Sequence, residues 1–251
     1  MKRPRGVTPD ASALRGGGGP IVSAGEGGQD RAAMAGKNQQ RRKEPLSAGR
    51  IAAAALELID SEGLDGFSFR ALAKRLGCEA MSIYHYFPSK AHLFDALVEI
   101  CIGEVEFGSP GQAWLERLRR VSHSLRAVAL RHPGFFIHFV THRLNNRAGL
   151  GYLNRILEII AQSGLPTEAR ARHFRALGYY VMGAGLDESL GYIKGPSATA
   201  PVPNDIAARD FPAIMAVGPF FSQKHHESTF AAGLETLLAE LAREAKTLGS
   251  G

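Results

Sequence analysis

Cysteine is scarce in this sequence, which has only Cys78 and Cys101 in 251 residues and no Cys-x-x-Cys spacing. This excludes a disulfide framework, and we expect reduced thiols in a cytoplasmic protein. No apolar run approaches the roughly 18 residues that a membrane-spanning helix needs. The N-terminus is positively charged but is followed by no apolar segment, so a secretory signal is not predicted. We expect no membrane partner.

The sequence motifs of common enzyme classes are also missing. There is no phosphate-binding loop, no dinucleotide-binding glycine motif, no nucleophile elbow, no HExxH and no paired-carboxylate motif. Alternation of apolar and polar residues, the mark of a half-buried strand, is not found either. We therefore predict an all-α protein that is not an enzyme and that uses no cofactor.

Positive charge is concentrated in the first 44 residues, which contain nine Lys and Arg but only four Asp and Glu. The whole chain has a formal net charge of +6. The same segment holds nine of the 29 glycines. It has too few apolar residues to offset the entropy lost on ordering. We predict a disordered, basic, glycine-rich tail over residues 1–44. Whether Met1 or Met34 is the natural start is left open by the sequence.

Helical periodicity begins directly after this tail. Ser47, Ser68 and Ser89 are placed as N-caps, and their hydroxyls can satisfy free backbone N–H groups. Gly63 can end the first helix with a positive φ, Gly77 supplies a tight turn, and Pro88 ends a third helix predicted over 79–87. The apolar face of the first helix consists of Ile51, Ala54, Ala55, Leu58 and Ile59.

The same periodicity continues to the C-terminus, with helices predicted from Trp114 and over 135–144, 150–162, 167–193 and 227–248. A segment rich in proline and alanine predicts a flexible loop over about 194–210. The whole chain then has about nine helices. We divide these helices into a three-helix unit with a helix-turn-helix over residues 45–92 and a second helical unit over residues 93–251.

The helix-turn-helix assignment depends on the segment from Ser68 to Lys90, SFRALAKRLGCEAMSIYHYFPSK. Two short helices separated by a glycine turn can place the second helix in a DNA major groove. This segment has four basic residues and one acidic residue, whereas residues 46–107 as a whole carry five basic and nine acidic residues. Positive charge is thus concentrated where phosphates would lie. A surface helical hairpin with solvated charges is the alternative.

The stretch AALELIDSEGLDGFSFRALAKRLGCEAMSIYHYFPSKAHLFDALV resembles the DNA-binding domain of the TetR family of transcriptional regulators. The matching features are Gly63, LAKRLG, SIYHYF and SKAHLF. The resemblance implies a homodimeric repressor that binds a palindromic operator in double-stranded DNA and is released by a small-molecule effector. It also implies that residues 45–92 are the DNA-binding domain and that residues 93–251 are a ligand-binding and dimerisation domain. Dimerisation would use the last two long helices, about 167–193 and 227–248.

Residue roles follow from the resemblance by position. Arg70 would read a base and Lys90 would bind a phosphate, while Arg42 and Lys43 could add an arm contact. Ile83 and Phe87 are expected in the core, together with one aromatic ring of the YHY run at 84–86. The complete set of predicted DNA contacts is Ser68, Arg70, Ala80, Met81, Ser82, Tyr84, His85, Tyr86 and Lys90.

Aromatic residues are concentrated between positions 135 and 182, and helical bundles place small-molecule sites between helices lined by such side chains. Most of them would belong to the core in any case. We predict an apolar or aromatic effector. His138 and His142 also have the i, i+4 spacing of metal ligands, so a helical enzyme or metal-binding protein is the alternative, although no metal is predicted. The predicted ligand contacts are Trp114, His138, Phe139, His142, Tyr152 and Tyr179.

Overall fold

The three serine caps start three of the first four helices, as predicted. The computed structural model describes residues 45–191 and 197–249. The predicted tail, with Arg42 and Lys43, lies outside this range. The Oγ atoms of Ser47, Ser68 and Ser89 accept hydrogen bonds from the backbone N–H three residues later, at 3.2, 3.1 and 3.4 Å. The helices are α1 (Ala48–Gly66), α2 (Phe69–Leu76), α3 (Ala80–Tyr84) and α4 (Lys90–Gly103).

Two of these helices differ in length from the prediction. Gly63 has a φ of 78° and a ψ of 169°, so it interrupts α1, but helical structure resumes and reaches Gly66. The predicted third helix over 79–87 is shorter, since α3 ends at Tyr84. Phe87 precedes Pro88, whose ring disfavours helical backbone at the residue before it. A turn in which the N–H groups of Tyr86 and Phe87 bond to the Ile83 carbonyl follows instead.

The remaining helices form the larger, C-terminal part of the molecule. α8 continues into one π-helical turn, Asp187–Gly191, and two 3₁₀ turns, Gly218–Phe221 and Gln223–His225, precede the last helix. The described residues contain eleven α-helices and no strand, which confirms the all-α fold. The helices are α5 (Trp114–Arg131), α6 (Pro133–Thr141), α7 (Arg147–Ala161), α8 (Thr167–Leu186), α9 (Asn204–Asp210), α10 (Pro212–Val217) and α11 (His226–Gly249).

The predicted flexible loop over about 194–210 is partly wrong. Residues 192–196 lie outside the described range and residues 197–203 are not helical, but Asn204–Asp210 forms α9. Pro203 precedes this helix at its N-cap, and Asp205 and Arg209 lie in its first and last turns. Those charges complement the helix dipole, so a short helix is stable where composition alone indicated a loop.

A continuous apolar core runs through the described helices. The inward positions predicted for α4 are all buried, namely Leu93, Phe94, Leu97, Val98 and Cys101. α1 packs on α2, α4 and α6, while α5 packs on α7, α8 and α11. Residues 46–251 form one compact unit, and α4 runs without a break across the boundary proposed at residue 92. That boundary remains a prediction about function. None of the described helices has the length and apolar content of a membrane span.

The backbones of two helices approach closely where the N-terminus of α6 meets α1. A Cβ atom on Gly134 would overlap the carbonyl oxygen of Ile59 and would lie 2.9 Å from the Cα of Asp60. Only a residue without a side chain allows this approach. Phe135 and Phe136, the next two residues, are fully buried, so the contact is fixed by packing on both sides.

We expect Gly134→Ala to lower the free energy of unfolding by about 1–3 kcal/mol, because an added methyl group must push two packed helices apart. Gly151→Ala on α7 is the matched control, since its Cβ would meet no atom within 4 Å. That control should gain about 0.5–1 kcal/mol from helix propensity. Urea unfolding of both variants measures the difference, and equal stabilities would contradict the account of this contact.

Candidate nucleic-acid interface and ligand cavity

The turn between α2 and α3 has the geometry that a helix-turn-helix requires. Gly77 adopts a left-handed conformation with φ 65° and ψ 41°, and its N–H bonds to carbonyls at the end of α2. Ile83 and Phe87 are buried, as predicted, and hold the short helix α3 on the core. The opposite side of α3 therefore faces solvent.

The predicted DNA contacts lie on this exposed side. Met81 is 65% exposed, so its flexible apolar side chain is free to contact a partner. Ala80 and Ser82 are partly exposed, and the other members of the set are exposed. The turn, α3 and the first residue of α4 thus bring together a continuous segment of candidate contacts.

The prediction that one aromatic ring of the YHY run is buried is wrong. Tyr84, His85 and Tyr86 are all exposed, because Ile83 and Phe87, four residues apart, already occupy the inward positions. The Tyr84 ring meets the Phe69 ring edge-on at 4.8 Å. Tyr86 donates a hydrogen bond from its hydroxyl to the Leu46 carbonyl at 2.7 Å, so it also anchors the chain just before α1.

Lys90 begins α4 and lies over two aromatic rings. Its Nζ is 5.3 Å from the ring centre of Phe67 and 5.0 Å from that of Phe94. Cation–π attraction holds the ammonium group there while leaving it accessible to water. The positive charge therefore remains at the N-terminus of α4, where backbone N–H groups also favour an anion.

The two histidines of the metal alternative lie between α6 and α4. His142 Nε2 is 3.2 Å from Asp95 Oδ1, a carboxylate contact that sequence spacing did not indicate. His138 packs against Phe94 and Phe135, and its buried Nε2 has no hydrogen-bond partner among the described residues. The pKa of His138 is lowered, mainly by burial and to a smaller extent by the neighbouring His142. Among residues 45–191 and 197–249, no group of three or more His, Cys, Asp or Glu is arranged to hold a metal ion.

The six predicted ligand contacts lie in different surroundings. Phe139 is buried and stacks on Phe136, whereas Tyr152 is buried edge-on against Phe107. Burial raises the pKa of the Tyr152 hydroxyl. The aromatic side chains that face inward fill the core by packing on one another. Of the six, Tyr179 alone lines the large cavity found among the described residues.

That cavity has a volume of about 820 Å³ and lies between α8, its π-helical turn, the 3₁₀ turns and α11. This volume is in the range of small-molecule sites. Tyr180 forms part of one wall and donates its hydroxyl to the Phe230 carbonyl at 2.8 Å. The sequence signal that could have indicated the site is the aromatic pair that follows Pro219. The main lining residues are Tyr179, Tyr180, Asp187, Glu188, Phe220, Phe221, His226 and Phe230.

Arg126 on α5 lies behind Glu188, one of the residues that line this cavity. Its Nε and Nη2 donate to the two Glu188 oxygens at 2.8 and 2.7 Å, and its Nη1 donates to Glu227. The guanidinium carbon lies 4.9 Å from the centre of the Phe230 ring. The hydrogen bonds to Glu188 raise the pKa of Arg126 despite its burial. This bidentate pair ties the π-helical turn to α5.

His132, between α5 and α6, joins three elements at the other end of α5. Its Nδ1 is 2.7 Å from Asp60 on α1, and its Nε2 is 3.2 Å from both oxygens of Glu104 after α4. Burial alone would lower the pKa of His132, but the hydrogen bonds to both carboxylates outweigh it and raise the pKa. The protonated ring donates from both nitrogens. Arg131 also donates to Glu104.

An exposed helix-turn-helix joined to a helical domain with a cavity defines a class, the DNA-binding transcriptional regulators. Residues 51–97 match the family of bacterial regulatory proteins called the tetR family. Residues 107–244 match the C-terminal domain described as tetracyclin repressor-like. Together these matches cover more than half of the chain. The chain belongs to the TetR family, whose members are transcriptional regulators and not enzymes.

Individual relatives agree with this assignment. The repressor DrrR1 of Streptomyces coeruleorubidus is 26% identical over 58% of this chain and 55% of its own length. The class D tetracycline repressor protein of Escherichia coli is 28% identical over 74% of this chain and 84% of its own length. The structure of ActR from Streptomyces coelicolor in complex with actinorhodin superposes with a TM-score of 0.62 at 27% identity, over 80% of this chain and 99% of that one.

We expect the bridge made by His132 to stabilise the fold more strongly at low pH. The pKa of His132 is raised in the folded state, so its contribution is complete below the unfolded value of about 6.5 and is lost as pH rises through the folded value. His132→Asn should remove this dependence and cost about 2 kcal/mol near pH 6. Urea unfolding between pH 5.5 and 8.5 measures the difference between the two proteins.

His85→Asn is the control for this experiment, because His85 is exposed and lies away from the bridge. It should retain the pH dependence of the wild type. If the unfolding free energies of the wild type and His132→Asn change with pH in parallel, the bridge does not carry the charge assigned to it.

Proposed function

We propose that this TetR-family regulator is a homodimeric repressor that a small molecule releases from a palindromic operator. The observation that carries the proposal is the continuous connection between the two functional regions. α5 carries Arg126 beside the cavity and is followed directly by His132 and Gly134, which contact α1 of the DNA-binding helices. A change at the cavity therefore has a packed route to the DNA-binding surface.

On the DNA side, we propose that Arg70 reads a base in the major groove, where a guanidinium can bond to guanine in a bidentate manner. Ala80, Met81 and Ser82 would enter the groove at the start of α3. Ser68 and Lys90 would bind phosphates, and the residues at 84–86 would contact the sugar-phosphate backbone or a base edge. The exposure of Arg70 and Met81 supports this arrangement.

Dimerisation is proposed through the outer faces of α8 and α11. The exposed α11 residues Ala232, Thr236 and Ala239 are small enough for close helix packing. Gly185, in contrast, packs inside the chain against Ala129 and Phe136.

Light scattering should report twice the 27.0 kDa mass of one chain, and a monomer at micromolar concentration would contradict the proposal.

Release would follow from a change in the spacing of the two recognition helices. A dimer occupies two half-sites when these helices are about 34–36 Å apart, so a shift of a few ångströms prevents simultaneous docking. The ligand must bind the non-docking state more tightly, and its effect cannot exceed that difference in affinity. The complex of ActR with actinorhodin shows that a relative with this fold holds a small molecule.

We expect Arg70→Ala and Lys90→Ala to weaken DNA binding in different ways. Loss of the base contact by Arg70 should cost about 1–3 kcal/mol on the preferred duplex and relax preference at one position. Loss of the Lys90 charge should weaken binding to all duplexes and reduce the salt slope by about one. Fluorescence anisotropy with a duplex selected by the protein from a random pool, and with an unselected duplex, measures both.

The control for these variants is Lys224→Ala, since Lys224 is exposed just before α11 and outside the DNA-binding segment. It should leave both affinities unchanged. If Arg70→Ala and Lys90→Ala lose equal affinity for the selected and unselected duplexes, the two roles are wrongly assigned. If the wild type binds neither duplex at low salt, the DNA-binding role itself is contradicted.

Release is tested by screening compounds for an increase in melting temperature and then adding each stabilising compound to the protein–operator complex. We expect at least one compound that raises the melting temperature to weaken operator binding more than tenfold, which corresponds to about 1.4 kcal/mol. If every compound that stabilises the protein leaves operator affinity within about twofold, the proposed switch is contradicted.

A further inference from the structure

The cavity between α8 and α11 is lined by negative charge. Asp187 and Glu188 contribute carboxylates, and His226 contributes an imidazole, whereas no Lys or Arg is among the described residues that line it. Asp187 makes no ion pair with any residue in the described ranges. The side of the cavity formed by the π-helical turn therefore presents an uncompensated carboxylate.

The charges behind the wall do not neutralise it. Arg126 is shared between Glu188 and Glu227, so two carboxylates already compete for its single positive charge. His226 Nδ1 is 3.7 Å from Glu188, and His123 Nδ1 is 3.6 Å from Glu227. None of these contacts supplies Asp187 with a cationic partner in the described ranges. In a partly enclosed site the charge of Asp187 attracts a cation more strongly than it would in open water.

Aromatic rings supply the rest of the lining. Tyr179, Phe220 and Phe221 are 68%, 63% and 51% exposed, although rings of this size gain free energy when they are covered. The faces of such rings attract organic cations, and the attraction grows when water is excluded. Exposed rings next to an unpaired carboxylate are thus a combination that suits one chemical class of ligand.

We infer that this cavity binds an organic cation that carries aromatic rings, with its cationic centre near Asp187 and its rings against Phe220, Phe221 and Tyr179. The inference rests on the proposed function only in taking this cavity as the effector site. It narrows the apolar or aromatic effector expected from the sequence to a positively charged one. Glu188 is held by Arg126 and shapes the wall, so Asp187 is the residue that selects the charge.

The test compares two ions of the same shape and opposite charge, tetraphenylphosphonium and tetraphenylborate, by titration calorimetry with the full chain. We expect the cation to bind at least about tenfold more tightly than the anion. Asp187→Asn should weaken binding of the cation about tenfold, which corresponds to about 1.4 kcal/mol. Phe220→Leu should weaken it about threefold or more through loss of a ring face.

Asp205→Asn is the matched control, because Asp205 is exposed on α9 and does not line the cavity. It should bind the cation as the wild type does, and melting temperatures should show that all variants are folded. The inference is overturned if the anion binds as tightly as the cation, if neither ion binds, or if Asp187→Asn matches its control.

Operator release is measured separately on the same samples. If the cation binds through Asp187 but leaves operator affinity unchanged, the site assignment stands and the proposed release mechanism fails for this ligand. If an uncharged or anionic compound releases the operator and the cation does not bind, the release mechanism stands and the assignment of ligand class is overturned. The two failures are therefore distinguishable.

Discussion

The contact between the start of α6 and the backbone of α1 is the constraint on which the rest of the arrangement depends. Gly134 allows the helices to approach closely, and Phe135 and Phe136 fix the approach by burial. His132 adds a charged bridge from the same turn to Asp60 and Glu104. Packing and electrostatics thus act together in this turn to join α1 to the C-terminal helices. A rigid joint of this kind can transmit a displacement of one helix to the other.

α5 gives this joint its connection to the cavity. Arg126 and Arg131 are five residues apart, so about 7.5 Å of helix separates the Glu188 pair from the bridge beside His132. A helix of this length moves as a unit, because its backbone hydrogen bonds and buried face resist local bending. Ligand contacts that displace the π-helical turn would therefore act on α5 before they act on any DNA-binding residue.

Local features of this fold could be predicted from the sequence, whereas features assembled from distant segments could not. The caps at Ser47, Ser68 and Ser89, the turn at Gly77 and the buried face of α4 follow from short-range rules. The cavity combines Tyr179 on α8, Glu188 in the π-helical turn and Phe220 in a 3₁₀ turn, and no local pattern relates them. The pair of His132 with Asp60 spans 72 residues. Tyr152 and Phe139, two predicted ligand contacts, are both buried, and the sequence pattern of a buried aromatic side chain is the same in a pocket and in a core.

The central claim is that a ligand changes the spacing of the two DNA-binding regions, and a distance measurement by electron spin resonance tests it most directly. A nitroxide at Glu62→Cys reports from an exposed position on α1 in a Cys78→Ser background, while burial raises the pKa of Cys101 to about 12 and keeps it unreactive. The account predicts one narrow distance distribution on the operator and a mean shifted by a few ångströms with a releasing ligand. If a ligand abolishes operator binding but the distance distribution is the same with and without it, the account is contradicted.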